Sequence, residues 1–209
     1  MSKKIVHGIR HGEAWHVATV PVVPKIVHGI RHGEAWHNVL YKSLGRAAFT
    51  NYADSTLTVC GMSQAVEGRQ QVVPDIVYVS PLTRTLQTAT LMFPGVRMVA
   101  LECLKEYPQH TEIINRRSDK SKLELLFPHV EFTQIKVEED CLFGIARPLE
   151  ILESSCRRAR EVIKKSEAQH IALVTHSSWL KYFMYGSVGD EMDELEHCTP
   201  YKIEPDKYE

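Results

Sequence analysis

Apolar runs alternate with amphipathic or polar stretches along most of this chain. The runs are short enough to be buried strands, and they lie at Ile26–Ile30, Asp75–Val79, Val96–Leu101 and His170–Val174. Helical patterns lie between and after them, at Val39–Leu44, Gly61–Val72, Leu82–Met92, Lys120–Phe127, Pro148–Lys165 and Trp179–Tyr185. Because strands alternate with helices, we expect one mostly parallel central sheet with helices on both faces, which is a three-layer α/β/α sandwich.

Polar residues follow each of these strands. Arg31 and His32 come directly after the first strand and Arg84 shortly after the second, while Glu106 follows the third and His176 the last. In a parallel sheet, ligands bind beyond the carboxyl ends of the strands, so we expect these side chains to meet at one rim. An Arg-His pair alone is often a solvated surface dipeptide, but convergence from several strands makes chance a poor explanation.

The residue types at this rim suit a phosphate. An arginine offers a planar, permanently charged fork that matches phosphate oxygens, and His32 can attack or carry a proton near neutral pH. Gly33 lets the backbone come close to a bound ligand. Ser80-Pro81 predicts a helix start with Ser80 as its N-cap. Arg84 would then lie in the first helical turn, where backbone amides already favour an anion.

Composition and charge narrow the class of protein. The chain of 209 residues is long enough for one domain, and its net charge of −1 predicts neither a nucleic-acid nor a membrane-surface partner. Five scattered cysteines without a CxxC spacing favour reduced thiols. The sequence lacks the long apolar run of a signal peptide or a transmembrane helix. We therefore expect a soluble, cytoplasmic protein.

A perfect repeat stands near the start of the chain. KIVHGIRHGEAWH occurs at Lys4–His16 and again, letter for letter, at Lys25–His37. Only one copy can fill the first strand of the sheet, and only the second copy is followed by Asn38. We therefore favour His32 over His11 as the working histidine.

The predicted organisation is one domain after the repeat. Residues 1–24 would be a duplicated segment and linker, and residues 25–209 the domain itself. The polar stretch 107–147 is expected to be an insertion over the site, and the acidic stretch Asp190–Glu196 a solvated face. Other histidines are expected on the surface or in packing; they are His7, His28, His110, His129 and His197.

Several motifs together make the chain recognisable. They are RHGEAWHN, LTVCGMSQA, VSPLTRTLQTA, LKE and VTHSS, spread over Lys25–Tyr185. In this combination the chain resembles the histidine phosphatase superfamily, also called phosphoglycerate mutase-like, and within it the phosphoglycerate mutase-like proteins of plants and yeast. The resemblance implies the phosphoglycerate mutase-like form of the sandwich. It also implies phosphoryl chemistry with no metal or other cofactor.

The resemblance assigns roles to the residues that match its motifs. It makes His32 the nucleophile that takes the phosphoryl group. The phosphate-binding residues would be Arg31, Arg84 and His176, with a further hydrogen bond from Asn38. Two arginines and a second histidine can stabilise a metaphosphate-like transition state without a metal. His32 must be unprotonated on its attacking nitrogen, so a backbone carbonyl or a side chain must fix its tautomer.

A general acid is needed to protonate the leaving alcohol. Acid-phosphatase members of the superfamily carry an Asp directly after the second histidine, but Ser177 stands at that position here. Glu106 lies where mutase-like members carry their acid, and we choose it for this role. Glu102 and Glu34 are alternatives, and a surface role for Glu106 stays open.

The expected function is hydrolysis of a small phosphorylated metabolite through a phosphohistidine. One alternative is a phosphoglycerate mutase, although the short tail after His176 favours a hydrolase, because mutases of this family use a longer C-terminal lid. Another alternative is a catalytically idle protein that binds phosphorylated ligands. Arg116 and Arg117 either meet a second anionic group of the substrate or are solvated loop arginines. No motif reports the substrate or the oligomeric state.

Overall fold

The structure, a computed structural model, describes residues 24–108, 112–141, 143–144, 148–188 and 194–208. The second motif copy forms the first strand of the sheet. The first copy, including His11, lies outside the described residues, so the assignment of residues 1–24 as a duplicated linker stays a prediction.

The strands of the described residues form one mixed sheet. They are β1 (Ile26–Arg31), β2 (Ile76–Val79), β3 (Arg97–Ala100), β4 (Val130–Glu131), β5 (His170–Thr175) and β6 (Pro200–Ile203). Their order is β4-β3-β2-β5-β1-β6, and all neighbours are parallel except β6, which runs antiparallel to β1. The mostly parallel sheet that the alternation predicts is confirmed.

Helices cover both faces of this sheet. They are α1 (Trp36–Leu44), α2 (Ala48–Asn51), α3 (Val59–Glu67), α4 (Thr83–Met92), α5 (Lys120–Leu126), α6 (Leu149–Lys165) and α7 (Ser177–Tyr185). Side chains alternate across the sheet, so Ile171 and Leu173 pack with α6 and α7, while Ala172 and Val174 pack with α3, α4 and α5. This confirms the three-layer sandwich. Within the described part of the chain, no helix combines the length and hydropathy needed to span a bilayer.

Two elements begin at places that the pattern did not predict. Helix α1 starts at Trp36, before the predicted Val39, and its N-cap is Ala35. Strand β6 was missed because it is short and begins with Pro200, whose lack of an N–H is unusual in a strand. The antiparallel edge position of β6 accommodates that proline.

The predicted start of the helix that follows β2 is corrected by a contact from a distant loop. Helix α4 begins at Thr83, and Leu82 is its N-cap in place of Ser80. Asp54 caps the helix from outside, because its Oδ1 accepts from Thr83 N at 2.7 Å and its Oδ2 from Thr83 Oγ1 at 2.7 Å. This leaves the Ser80 hydroxyl for another partner, while Arg84 stays in the first turn, as predicted.

The stretch 107–147 is more than an insertion over the site. Its strand β4 pairs in parallel with β3, and its helix α5 buries Leu123 in the core. Phe127 and Phe132 pack into the same cluster. The sequence pattern missed β4 because a strand of two residues shows no periodicity. The place of this stretch over the site stays a prediction, and the stretch also completes one edge of the sheet.

Candidate active site

The carboxyl ends of three strands bring the predicted phosphate-binding side chains together. Arg31 ends β1, His176 directly follows β5, and Arg84 lies in the first turn of α4 after β2. The imidazole centroids of His32 and His176 are 5.2 Å apart, and Arg84 Nε lies 3.3 Å from His32 Nε2. All four side chains are buried. They form a single polar cluster at the rim of the sheet.

His32 is held with one ring nitrogen free of a proton. Its Nδ1 lies 2.7 Å from the carbonyl oxygen of Gly33, which can only accept, so Nδ1 carries the hydrogen. Nε2 then presents its lone pair, to which Arg84 Nε donates. Burial, followed by the charge of Arg84, lowers the pKa of His32 well below 6.5. The ring is therefore neutral and in the tautomer that attack on phosphorus requires.

Gly33 is packed against a helix, and its expected role beside a ligand stays a prediction. A Cβ on Gly33 would lie 2.5 Å from the carbonyl oxygen of Gly61, and a Cβ on Gly61 would lie 2.0 Å from that of Glu34. Gly61 lies in the first turn of α3, and its N–H donates to the N-cap hydroxyl of Thr58 at 3.0 Å. The two glycines thus let α3 dock directly on the loop that carries His32.

Arg84 is fixed through both terminal nitrogens of its guanidinium. Nη1 donates to the carbonyl oxygen of Ile114 at 2.8 Å, and Nη2 donates to Asn115 Oδ1 at 2.7 Å. Both acceptors are uncharged, and burial lowers the pKa of Arg84 to about 10. The group is still a cation near neutral pH, so its charge remains available to an incoming anion.

Arg31 is anchored by one edge of its guanidinium and leaves the other edge open. Its Nη1 donates to Glu194 Oε2 at 2.9 Å and to the carbonyl oxygen of Leu195 at 2.7 Å. Its Nε is buried and has no hydrogen-bond partner among the described residues. Glu194 belongs to the acidic stretch that was expected to be a solvated face. Glu194 is exposed, in keeping with that expectation, and it also pairs with the buried Arg31.

The Ser80 hydroxyl holds His176. Ser80 Oγ lies 2.8 Å from His176 Nε2, and both residues are fully buried. The other ring nitrogen, Nδ1, is buried without a partner in the described part of the structure. Burial, with Arg84 as the next cause, lowers the pKa of His176 well below 6.5. His176 is thus a neutral, oriented imidazole with one polar atom left for a ligand.

Glu106 lies at the N-terminus of α7. Its Oε1 accepts from Tyr107 N at 2.8 Å and from Trp179 N at 3.3 Å. Burial raises the pKa of this carboxyl, although the two amides and the charge of Arg84 oppose the rise. A carboxyl with a raised pKa near the phosphate-binding arginines suits a group that must give up a proton.

The alternative acids are committed to other contacts. Glu102 Oε1 accepts from Arg117 Nε at 2.7 Å, and Glu102 Oε2 lies 3.7 Å from Lys105 Nζ. Glu34 Oε1 accepts from the hydroxyl of Thr58 at 2.7 Å. Both carboxylates are thus engaged by side chains of the protein itself, so Glu106 remains the better candidate for a general acid.

The two neighbouring arginines differ. Arg116 is exposed, with its guanidinium carbon 5.5 Å from the ring centroid of Phe143, so it remains free to meet substrate. Arg117 is buried, and its guanidinium is used within the protein. Its acceptors are Glu102 Oε1 and the carbonyl oxygens of Ser118, Val137, Glu138 and Glu139. The expected substrate contact is therefore corrected for Arg117, which instead holds the stretch after α5 in place.

Two further histidines lie close to His32, and Asn38 lies in the first turn of the helix that follows. Asn38 Oδ1 accepts from Ala35 N at 3.0 Å, and its Nδ2 has no partner among the described residues, so its contact with phosphate stays a prediction. The His37 and His197 ring centroids each lie 5.8 Å from that of His32. His197 Nδ1 also donates to the carbonyl oxygen of His32 at 2.6 Å. His197 is thus a half-buried packing residue, as expected, and the ring that it packs against is that of His32.

Unpaired polar atoms concentrate around this cluster. Buried atoms that have no hydrogen-bond partner in the described part of the chain include Arg31 Nε, His37 Nδ1, His176 Nδ1 and Ser177 Oγ. A buried polar atom without a partner is costly, so such a set is the mark of a site completed by a ligand. The donors and the two guanidinium charges suit an anion. Over the described residues, no group of three or more His, Cys, Asp or Glu side chains is arranged to hold a metal ion.

Known proteins match both the sequence and the fold. The model of the histidine phosphatase superfamily (branch 1) matches residues 27–202. A phosphoglycerate mutase-like protein of Arabidopsis thaliana is 27% identical over 184 residues, which cover 69% of this chain and 68% of that protein. The α-ribazole phosphatase of Shigella flexneri shares the fold at a TM-score of 0.55 and 18% identity, over 84% of this chain and 88% of that one. A phosphoserine phosphatase mutant of Entamoeba histolytica, in complex with phosphoserine, is 26% identical with a TM-score of 0.50, over 75% of this chain and 76% of that one.

Proposed function

Since this chain belongs to the histidine phosphatase superfamily, we propose that it hydrolyses a small phosphorylated metabolite through a phosphohistidine at His32. The observation that carries this proposal is the state of His32. Its Nδ1–H is tied to a backbone carbonyl at 2.7 Å, which leaves the Nε2 lone pair facing Arg84. The same buried cluster holds the charge of Arg31 and the Nδ1 of His176, which has no hydrogen-bond partner among the residues that the structure describes. A neutral nucleophile among fixed positive charges suits attack on a phosphate dianion.

In the first step, Nε2 of His32 attacks phosphorus and the P–O bond to the substrate alcohol breaks. Arg31, Arg84 and His176 bind the non-bridging oxygens, whose charge they stabilise in the transition state. Glu106 gives its proton to the departing alkoxide, which leaves as an alcohol. The products of this step are a phosphohistidine and an ionised Glu106.

In the second step, a water molecule attacks the phosphohistidine. Glu106, now a carboxylate, takes a proton from the water as the new O–P bond forms. The N–P bond breaks and its electron pair returns to Nε2 of His32. Inorganic phosphate is released, and the enzyme regains its starting protonation state.

A trapping experiment tests the proposal. The protein is mixed with a generic aryl phosphate labelled at phosphorus, quenched at alkaline pH, and analysed for label on histidine and for free phosphate. We expect acid-labile label at His32 and multiple turnovers, and the variant His32→Asn should show neither. Turnover without any labelled histidine would contradict a phosphohistidine mechanism.

The phosphoglycerate mutase alternative is favoured by the name of the Arabidopsis relative. The products of the reaction distinguish a mutase from a hydrolase. With 3-phosphoglycerate as substrate, a hydrolase releases inorganic phosphate, whereas a mutase yields the 2-phospho isomer. Binding of the phosphoester without either product would favour the idle binding protein. Phosphorus-31 NMR spectroscopy of one sample distinguishes the three outcomes, which are hydrolysis, isomerisation and binding without a product.

A further inference from the structure

His37 is buried beside the proposed nucleophile, yet one nitrogen of its imidazole makes no hydrogen bond within the described residues. The residue is 6% exposed, and its ring nitrogen Nδ1 has no hydrogen-bond partner within the described residues. The centroid of its ring lies 5.8 Å from that of His32. A buried imidazole nitrogen without a partner is unfavourable, so a partner is expected that the described residues do not provide.

The first turn of α1 holds His37 in place. Its own N–H donates to Ser55 Oγ at 3.3 Å, and its ring packs edge-on against Phe49 at a centroid distance of 6.2 Å. The next residue, Asn38, fixes the turn by accepting from Ala35 N at 3.0 Å. His37 is therefore a fixed group and does not swing into the site from the surface.

Positive charges surround His37. Arg84, Arg31 and His197 all disfavour its protonation, and together with burial, the largest cause, they lower its pKa to about 2. The imidazole is neutral over the working range of pH. It can thus donate one hydrogen bond to an anion without adding a cation, which would depress the nucleophilicity of His32.

We propose that His37 is a further phosphate-binding residue, whose Nδ1–H donates to a non-bridging oxygen of the phosphoryl group that His32 attacks. The inference rests on the proposed function of the same site. It gives the unpaired Nδ1 a partner. Because the donor is neutral, it adds no further positive charge beside His32. Neither the RHG motif nor the positions after the other strands identify this residue.

Three variants at this position test the assignment. His37→Phe removes the donor, His37→Asn places an amide N–H near the position of Nδ1, and His37→Gln places one near the position of Nε2. The dissociation constant of inorganic phosphate is measured by calorimetry on the full chain, and kcat/KM is measured with an aryl phosphate. A hydrogen bond to a charged group predicts about 10- to 100-fold weaker phosphate binding in His37→Phe. We expect His37→Asn to restore most of the affinity and His37→Gln to restore little.

The outcomes separate this inference from the proposed function. If the wild-type protein neither binds inorganic phosphate nor turns over the aryl ester, the proposed function fails, and the inference fails with it. If the wild type is active and His37→Phe binds phosphate equally well, only the inference is overturned. Rescue by Gln and not by Asn also overturns it, because Nε2 would then be the donor. Should His37→Phe not fold, the comparison of the Asn and Gln variants decides alone.

Discussion

The substitution Glu106→Gln isolates the proposed proton donor from the rest of the site. The Gln carbonyl oxygen can accept from Tyr107 N and Trp179 N as Oε1 of Glu106 does at 2.8 and 3.3 Å. The amide cannot supply a proton to a leaving group. The variant therefore keeps the contacts at the start of α7 and loses only acid catalysis.

The size of the effect depends on the leaving group. General acid catalysis contributes about 10²–10⁴ in rate, which corresponds to roughly 2.7–5.5 kcal/mol of the barrier. An alkyl phosphate needs that proton, so its kcat/KM should fall by about this factor in the variant. A 4-nitrophenyl phosphate releases a stable anion, so its kcat/KM should fall by less than about tenfold.

The pH dependence gives a second check on Glu106. The carboxyl must be protonated when the alcohol leaves, and burial raises its pKa. Wild-type activity toward an alkyl phosphate should therefore fall as pH rises through that raised pKa, and the variant should lack this limb. Because burial keeps the pKa of His32 well below 6.5, this alkaline limb should be governed by Glu106 and not by His32. Equal losses for both substrates, with the alkaline limb retained, would refute the assignment.

Stability supplies the control for Glu106→Gln. A carboxyl whose folded-state pKa is raised contributes stability at low pH that is lost as pH rises through that pKa. The neutral Gln does not ionise, so the variant should be at least as stable as the wild type at neutral pH. Thermal unfolding of the variant and the wild type at low pH and at neutral pH measures this difference in stability directly.

Three further predictions test the support around the site. Arg117→Ala leaves buried acceptors unpaired and should lower the free energy of unfolding by about 3–5 kcal/mol. The same change at its exposed neighbour, Arg116→Ala, should lower it by less than about 1 kcal/mol. Urea unfolding of the two variants measures both values, and equal values would contradict a structural role for Arg117. Ser80→Ala removes the partner of His176 Nε2 and should lower kcat/KM by about tenfold or more; unchanged kinetics would show that the hydroxyl does not orient the ring. Gly61→Ala forces α3 away from the loop before it and should cost at least about 1–3 kcal/mol in unfolding free energy, so an unchanged melting temperature would disprove the close contact.

The residues at the ends of strands could be predicted from the sequence. Arg31, Arg84 and His176 each follow an apolar run, and the parallel sheet brings such positions to one rim. The tautomer of His32 could be predicted only as a requirement, because the acceptor, the carbonyl of Gly33, depends on how the loop turns. Backbone geometry of this kind leaves no trace in residue types.

The contacts that the sequence did not reveal come from residues distant along the chain. His197 reaches His32 from the segment before β6, and Glu194 reaches Arg31 from the same segment. Asp54 takes the capping role that local rules give to Ser80. Local patterns describe neighbours within a few positions, so a partner more than a hundred residues away gives no local signal. A charged stretch then resembles a solvated face whether or not one of its members pairs with a buried arginine.

The place of β1 in the sheet sets the order in which the protein can be assembled during synthesis. In the described sheet β1 pairs with β5 and β6, which begin at His170 and Pro200. The other strands, β2, β3 and β4, pair with one another earlier in translation. A nascent chain therefore carries the proposed nucleophile, His32, directly after an unpaired strand until most of the domain has left the ribosome. A chain that ended before His170 would be partly folded. It would contain every residue of the RHGEAWHN motif and would lack a complete catalytic centre.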